Sequence, residues 1–294
     1  MDPVVIELAI NGETSKKRNP NVPHTPEEIA KDAIACFKAG VATLHNHMGD
    51  INLTGQAATD RYALAWRPIR EAFPDAILCP TTQQAPDLDT RLNFLPSAKK
   101  EGARQASIDP GLDNFATTGQ NGLPGPIRAG LDYTIDMVER AFATMAKIGL
   151  GPALGIYEPG FLRLVLAFKQ GGTLPRGTLA RLYFGGDHNF LDGIKGGFNF
   201  GLPPTLKALE AYVEMIGDSG VPWMVAVPGG DVYATGMAKW AIERGGHVRV
   251  GLEDHAADRK PTNLELVNEI VAVAKQCGRR PATCAEAAKI LDLP

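Results

Sequence analysis

The feature that most constrains the fold is a regular alternation of short apolar runs with longer amphipathic segments. Runs of strand length lie at 4–10, 41–47, 76–82, 105–110, 152–158, 180–186, 222–229 and 247–254. Segments with helical periodicity follow them at 25–40, 60–73, near 90–100, and at 133–149, 161–172, 205–220, 235–246 and 263–278. Strands that alternate with helices form parallel sheets. Eight such units in 294 residues predict a single (β/α)₈ (TIM) barrel domain over residues 1–294, with a doubly wound open sheet as the competing architecture.

Composition excludes several classes of protein. Apolar residues make up 44% of the chain and charged residues 21%, which is typical of a soluble globular protein. The net charge of −3 leaves no basic footprint for nucleic acid. No apolar run reaches the roughly 18 residues of a membrane span, and the first residues lack the basic region of a signal peptide. With four cysteines outside any CxxC spacing, these observations predict a cytoplasmic protein with reduced thiols.

Polar side chains gather where the predicted strands end. In (β/α)₈ barrels the carboxyl ends of the strands form the active-site mouth. In chain order these residues are Glu13, His45, His47, Thr81, Thr82, Asp109, Tyr157, Glu158, Asp187, His188, Asp231, Arg249, Glu253 and Asp254. The predicted strand starts are mostly apolar or small. This asymmetry predicts an enzyme.

The segment LHNH places two histidines at one strand end. His45 and His47 stand two residues apart, so both rings point to the same side of the strand and Asn46 points away. A catalytic zinc usually has three protein ligands and one open position. Glu253, at the end of the last strand, is the candidate third ligand. The alternative is a pair of histidines bonded to backbone and loop groups.

Two further residues near Glu253 suit catalysis. Arg249 precedes Glu253 by four positions and shares its side of the strand, where a buried arginine requires an anion. That anion would be either a substrate carboxylate or a protein carboxylate, Asp254 or Glu158. Asp254 is free to act as a general base if Glu253 binds a metal.

Two loop segments leave their role open. Lys16, Lys17 and Arg18 follow the first strand, and residues 193–201 read GIKGGFNFG before a helix. A basic run is typical of a solvated loop, yet it also suits a phosphate-rich ligand. The glycine-rich segment is either a flexible mouth loop or a close approach to a phosphate or pantetheine chain.

Four segments, in order and spacing over essentially the whole chain, resemble the β-keto acid cleavage enzymes. They are GETSKKRNPNVPHTPEEIA, LHNH, YEPG and GGHVRVGLED. The resemblance implies a (β/α)₈ barrel, generally a homotetramer, with a divalent metal that is usually zinc. It implies a reaction in which a β-keto acid and acetyl-CoA give acetoacetate and a new acyl-CoA.

The resemblance also implies roles for individual residues. His45, His47 and Glu253 correspond to the metal ligands, Arg249 and Asp254 to the catalytic arginine and acid/base, and Thr81 to a catalytic serine. Glu13, Glu158, Thr82 and Asp109 are the candidate substrate-binding residues. The excess of acids at the mouth predicts a β-keto acid with a cationic tail.

Three other functions remain open from the sequence. An HxH pair near the start of a barrel is also typical of metal-dependent hydrolases, and a metal-dependent retro-aldolase would need no CoA. A non-catalytic ligand-binding barrel is the third reading, supported by mouth turns such as TTQQ (81–84) that differ from the family pattern.

Overall fold

Eight parallel strands form the centre of the protein, whose computed structural model describes residues 3–294. The strands in chain order are β1 Ile6–Ala9, β2 Thr43–Asn46, β3 Ile77–Pro80, β4 Gln105–Ile108, β5 Leu112–Thr118, β6 Pro124–Asp132, β7 Gly151–Ile156, β8 Leu179–Tyr183, β9 Trp223–Ala226 and β10 His247–Val250. The parallel sheet has the order β3-β2-β1-β10-β9-β8-β7-β4, while β5 and β6 form a separate antiparallel ribbon.

The sheet closes into a barrel. β1 pairs in parallel with both β2 and β10, so the first and last strands are neighbours. At the remaining seam, the backbone N–H of Arg104 donates to the carbonyl of Leu78 at 3.0 Å, and Leu78 and Ala103 form a parallel bridge. The predicted (β/α)₈ barrel is confirmed, and the open-sheet alternative is wrong. The first two residues of the predicted domain 1–294 lie outside the described part.

Helices surround the strands. They are α1 Pro26–Ala39, α2 Gly55–Ala72, α3 Leu88–Leu92, α4 Leu95–Lys100, α5 Ile135–Ile148, α6 Pro159–Gln170, α7 Leu206–Ile216, α8 Met237–Glu243, α9 Asn263–Gln276 and α10 Cys284–Ile290. α1 shows how local sequence sets a boundary, because Thr25 and Glu28 form a reciprocal capping box at its start. Within residues 3–294, no helix combines the length and the apolar character needed to cross a membrane.

The two ends of the barrel differ. α10 covers the amino-terminal end, where Ala287 and Leu291 pack into a cluster with Val5, Ile77 and Met224. The carboxyl ends of the strands stay available, and the β5–β6 ribbon stands beside them. Phe115 of this ribbon contacts the ring of Tyr157, with centroids 5.3 Å apart.

The β5–β6 ribbon is the largest element that the sequence pattern did not predict. β6 contains Pro124 and Pro126, which remove backbone donors and normally argue against a strand. They are tolerated here because β6 belongs to a two-stranded ribbon, where one edge of the strand needs no partner.

Candidate active site at the carboxyl ends of the strands

Two histidines and one glutamate converge at the barrel mouth. His45 Nε2 lies 3.4 Å from Glu253 Oε2, and His47 Nε2 lies 3.8 Å from Glu253 Oε1. One ligand atom from each residue lies within 4.8 Å of the other two. β2 brings the two rings to one side, whereas Asn46 turns outward and accepts a hydrogen bond from Trp66 Nε1 at 2.9 Å. The geometry that LHNH predicts is therefore present.

Hydrogen bonds orient both rings toward the point of convergence. His45 Nδ1 lies 3.1 Å from the carbonyl oxygen of Cys79, and His47 Nδ1 lies 2.9 Å from Glu13 Oε1. Carbonyl and carboxylate oxygens only accept, so each Nδ1 carries a proton and each Nε2 faces Glu253. Such outer partners are the usual supports of metal-binding histidines.

Glu253 reaches the cluster because its neighbour Gly12 has no side chain. Gly12 adopts a φ of +53°, and a Cβ there would lie 2.3 Å from Glu253 Cγ. Arg249 Nη2 donates to Glu253 Oε1 at 2.7 Å, while the buried Oε2 has no hydrogen-bond partner. A buried carboxylate oxygen without a partner is costly, and a metal ion would satisfy it.

The protonation states also fit a metal. Burial lowers the pKa of His45 to about 4, against the opposing effect of Glu253. Burial raises the pKa of Glu253, but Arg249 and the two histidines outweigh it and hold that pKa well below the usual range. At neutral pH the cluster therefore offers a neutral His45 and an ionised carboxylate, which are the forms that bind metal. The residues fit a divalent ion such as zinc.

Arg249 is the electrostatic centre of the mouth. Its Nε and Nη2 donate to the two carboxylate oxygens of Asp254 at 2.8 and 3.1 Å, and its Nη1 donates to Glu7 at 3.2 Å. The ring of Tyr183 covers the guanidinium at 5.4 Å. The sequence left Asp254 and Glu158 open as protein partners of Arg249. In the structure Arg249 pairs with Asp254 and not with Glu158.

Asp254 is held by Arg249 yet stays basic. Burial raises the pKa of Asp254, and the opposing charge of Arg249 does not cancel this effect. The carboxylate is 5% exposed, so water competes little with a substrate proton. Such a group suits a general base.

A second buried network lies below the mouth, and the sequence analysis did not include it. Glu7 and Arg181 are each at most 1% exposed, and Arg181 Nη2 donates to Glu7 Oε2 at 2.8 Å. Arg181 Nη1 donates to Ser107 Oγ at 2.9 Å, and Ser107 Oγ lies 3.3 Å from His45 Nδ1. The sequence signal for this network was one charged residue inside each of two otherwise apolar strands, Glu7 in IELA and Arg181 in LARLY. Buried charges of this kind require partners.

We expect Glu7→Gln to lower the free energy of unfolding by about 3 kcal/mol at pH 7, because it leaves the Arg181 charge buried and unpaired. Burial raises the pKa of Glu7, but Arg181 and Arg249 outweigh burial and lower it overall. The stabilisation is therefore present above the unfolded pKa of about 4.3 and is lost as the pH falls through the lower folded pKa. Urea unfolding between pH 3 and 7 measures both effects.

Glu101→Gln is the matched control for Glu7→Gln. Glu101 forms an ion pair with Arg67 at the surface, where such pairs contribute about 0–1 kcal/mol. A loss at Glu7 no larger than the loss at Glu101 would contradict the role of the buried network.

Asp109 faces the same mouth from the end of β4. Burial raises the pKa of Asp109 to about 6, against the opposing effect of Arg181 and Arg249. Gly155 makes room for this carboxylate, since a Cβ at that position would lie 2.2 Å from Asp109 Oδ1. The group is poised to accept or donate a hydrogen bond near neutral pH.

The other candidates lie around the mouth with separate partners. Thr82 Oγ1 donates to the carbonyl of Ser107 at 2.6 Å, and the Thr81 backbone N–H donates to Tyr62 Oη at 3.1 Å. Glu158 accepts the backbone N–H of Gly201 at 2.9 Å, so Glu13 and Glu158 have different partners.

Asp231 has a structural role. It accepts two backbone N–H groups of the following turn, from Tyr233 and Ala234, at 3.0 Å each. It also accepts from the guanidinium of Arg259. Asp231 is therefore committed to the loop after β9.

A (β/α)₈ barrel that gathers histidines, an arginine and carboxylates at the carboxyl ends of its strands is built as an enzyme. A sequence profile described as beta-keto acid cleavage enzyme matches residues 3–293. The chain belongs to the β-keto acid cleavage enzyme family.

Two relatives agree with this assignment, and one solved structure shares the fold. The chain is 31% identical to the 3-keto-5-aminohexanoate cleavage enzyme of Acetoanaerobium sticklandii, over 100% of this chain and 99% of the relative. It is 29% identical to the 3-oxoadipate:acetyl-CoA acetyltransferase of Cupriavidus necator, over 99% of this chain and 95% of the relative. A ternary complex of ObcA with a C4-CoA adduct and oxalate shares the fold, with a TM-score of 0.67 at 17% identity over 93% of this chain and 68% of that chain.

Proposed function

We propose that this protein transfers the acyl group of a β-keto acid to CoA, with acetyl-CoA as co-substrate and acetoacetate as second product. The observation that carries the proposal is the convergence of His45, His47 and Glu253 beside an arginine-held Asp254, in a chain of this family. The name of the Cupriavidus necator relative supports acetyl-CoA as the co-substrate. We propose zinc as the metal, because two imidazoles and one carboxylate form a typical catalytic zinc set.

The residues of the chain account for the proton and charge movements. A divalent ion held by His45, His47 and Glu253 would supply Lewis-acid polarisation of the ketone. Asp254 removes a proton from the carbon between the ketone and the carboxylate, and Arg249 keeps the base in position through two hydrogen bonds. Thr81, which directly follows β3, is the further catalytic candidate, and we propose that its hydroxyl hydrogen-bonds a reacting oxygen.

In the reaction one carbon–carbon bond forms and another breaks. The resulting carbanion attacks the thioester carbon of acetyl-CoA, and CoA leaves as the thiolate. The thiolate then attacks the ketone of the acetylated intermediate, and the bond between the ketone carbon and the former carbanion carbon breaks. The former carbanion carbon takes back the proton that Asp254 removed, so Asp254 ends ionised as it began. The products are the new acyl-CoA and acetoacetate. The positive charge of Arg249 lowers the energy of the negative charge that develops on oxygen.

We propose a β-keto acid with a cationic tail, bound by the acids of the mouth. Glu13 is exposed and has His47 rather than a lysine or arginine as its partner. Thr82, Asp109 and Glu158 are the other residues proposed to contact the substrate. The two relatives are named for substrates with opposite tails, an amino group in one and a second carboxylate in the other.

A panel of β-keto acids with amino, quaternary ammonium, neutral and carboxylate tails tests the function. Each acid is incubated with acetyl-CoA and the metal-loaded protein, and acyl-CoA products are identified by mass spectrometry. We expect acyl-CoA to form fastest from the cationic acids. A preference for the dicarboxylate would contradict the cationic tail. Cleavage without acetyl-CoA would favour the hydrolase or retro-aldolase, and binding without turnover would favour a ligand-binding barrel.

We also propose one domain over residues 1–294, a homotetramer and a cytoplasmic location. Support for an oligomer comes from the β5–β6 ribbon and the segment that joins its strands, where Leu112, Leu123 and Ile127 are 64%, 65% and 67% exposed. Several large exposed apolar side chains on one element are a feature of interaction surfaces. Light scattering after size-exclusion chromatography measures the subunit number.

A further inference from the structure

A cavity of about 250 Å³ opens at the same end of the barrel as the cluster of His45, His47 and Glu253. Three loops line it. Arg18 comes from the loop after β1, His188 and Lys195 come from the loop after β8, and His255 and Lys260 come from the loop after β10. None of these residues belongs to the cluster of His45, His47 and Glu253.

The lining of this cavity is cationic. Arg18, Lys195 and Lys260 carry positive charge, and Asp258 is the acidic residue among the lining residues. Arg259 also lines the cavity, but its guanidinium is already paired with Asp231 and Glu269. Asp192, near Arg18, is occupied by the backbone N–H groups of Thr118 and Ile194. The net charge of the lining therefore favours an anion.

Three buried nitrogen atoms around the cavity have no hydrogen-bond partner. They are Arg18 Nε, His188 Nδ1 and His255 Nε2. His255 is only 8% exposed, so bulk water does not solvate its ring freely. Buried polar groups are almost always paired, and a cluster of unpaired nitrogens around one cavity indicates an absent acceptor. An anion with several oxygen atoms would accept from all three loops.

The cavity adjoins the catalytic group. His255 follows Asp254 directly, and Arg18 Nη2 donates to the His255 carbonyl at 3.4 Å. A ligand anchored here would lie across the mouth and not against the metal ligands. The position suits one end of a long reactant that extends from the cavity toward Asp254.

We propose that this cavity binds a phosphate group of acetyl-CoA, an inference that rests on the proposed function. Phosphate carries more charge and more acceptor oxygens than a carboxylate, and arginine, lysine and histidine from separate loops can surround it. Phosphate sites in (β/α)₈ barrels frequently include the loop after the last barrel strand, and the loop after β10, which supplies His255 and Lys260, holds this position. The volume is below the roughly 300–1,000 Å³ of pockets that enclose whole ligands, which suits one end of CoA.

The test compares Arg18→Gln and Lys195→Gln, singly and together, with two matched controls. Arg163→Gln on α6 and Lys147→Gln on α5 remove the same charges from exposed positions of the outer helices. We expect the double variant to raise the KM for acetyl-CoA at least tenfold and to leave the KM for the β-keto acid unchanged. With acetyl-pantetheine, which has no phosphate beyond the thioester arm, wild type and double variant should share one KM. The controls should match wild type throughout.

Two outcomes would overturn the site. One is an equal rise in KM with acetyl-pantetheine, and the other is a rise in the KM of a dicarboxylic β-keto acid instead of acetyl-CoA. Calorimetric titration with CoA, and separately with inorganic phosphate, distinguishes this failure from that of the proposed function. If wild type converts no β-keto acid, CoA binding that is lost in the double variant still supports the site. CoA binding of equal affinity in both proteins would refute the site. Binding of inorganic phosphate without binding of CoA would also overturn the proposal, because the cavity would then be a site for free phosphate.

Discussion

His45→Ala should remove the bound metal and lower turnover by more than the roughly 10–100-fold loss that follows from changing an outer partner of a metal ligand. The ring supplies one of the three ligand atoms that converge in the cluster of His45, His47 and Glu253. The metal content measured by elemental analysis should fall from one ion per chain to near zero. Steady-state rates with a converted β-keto acid measure the loss of activity.

Two further variants separate this effect from misfolding. Because His45 is 3% exposed, its removal leaves a cavity, whereas Glu253→Gln keeps the volume and removes one ligand charge. Glu253→Gln should lose metal and activity with an unchanged circular dichroism spectrum. His24→Ala changes an exposed histidine that contacts the Thr14 carbonyl at 2.9 Å. This control variant should keep both its metal and its activity. A full complement of metal in His45→Ala and Glu253→Gln would refute the ligand assignment.

Asp254→Asn should keep the metal and lose roughly 10²–10⁴-fold in turnover, the range expected for removal of a general base. Asparagine fills the same space and can still accept from Arg249, but its amide cannot take a proton. NMR in the absence of acetyl-CoA measures the exchange of the substrate proton for deuterium. This measurement isolates proton removal by the base from the later steps. The variant should lose enzyme-catalysed exchange together with turnover.

Asp218→Asn is the control for Asp254→Asn. Asp218 is an exposed carboxylate between α7 and β9, at the amino-terminal end of the barrel, so its replacement should leave both rates unchanged. Near-normal exchange in Asp254→Asn would remove Asp254 as the base and direct attention to Asp109, whose pKa of about 6 also suits proton transfer.

Much of the fold follows from local patterns. Helix periodicity, the capping box at Thr25 and eight apolar runs were sufficient to predict the barrel. The β5–β6 ribbon was not predicted, because its alternation of apolar and polar residues is weak and β6 contains prolines. Its strands depend on each other and on the aromatic contact of Phe115 with Tyr157. Pairing between strands leaves little trace in either strand alone.

The candidate site divides in the same way. The positions of His45 and His47 on one side of β2 follow from the two-residue repeat of a strand. The assignment of Glu13 to His47 does not, because the two residues belong to different strand–loop units. Sequence reasoning placed Glu13 and Glu158 together as acids of the mouth, whereas hydrogen bonding gives each its own partner.

The sequence by itself determined the alternation of strands and helices, the barrel and the end of it that carries chemistry, because these depend on periodicity within a few residues. Only the tertiary structure decided which atoms meet. Parallel pairing of β1 with β10 sets Glu7 beside Arg249, and closure of the barrel brings Arg181 to the same carboxylate. Pairing of β1 with both β2 and β10 brings Glu253 to His45 and His47 at the carboxyl end of β2. Contacts between residues so distant along the chain depend on strand register and barrel closure, which are properties of the whole sheet.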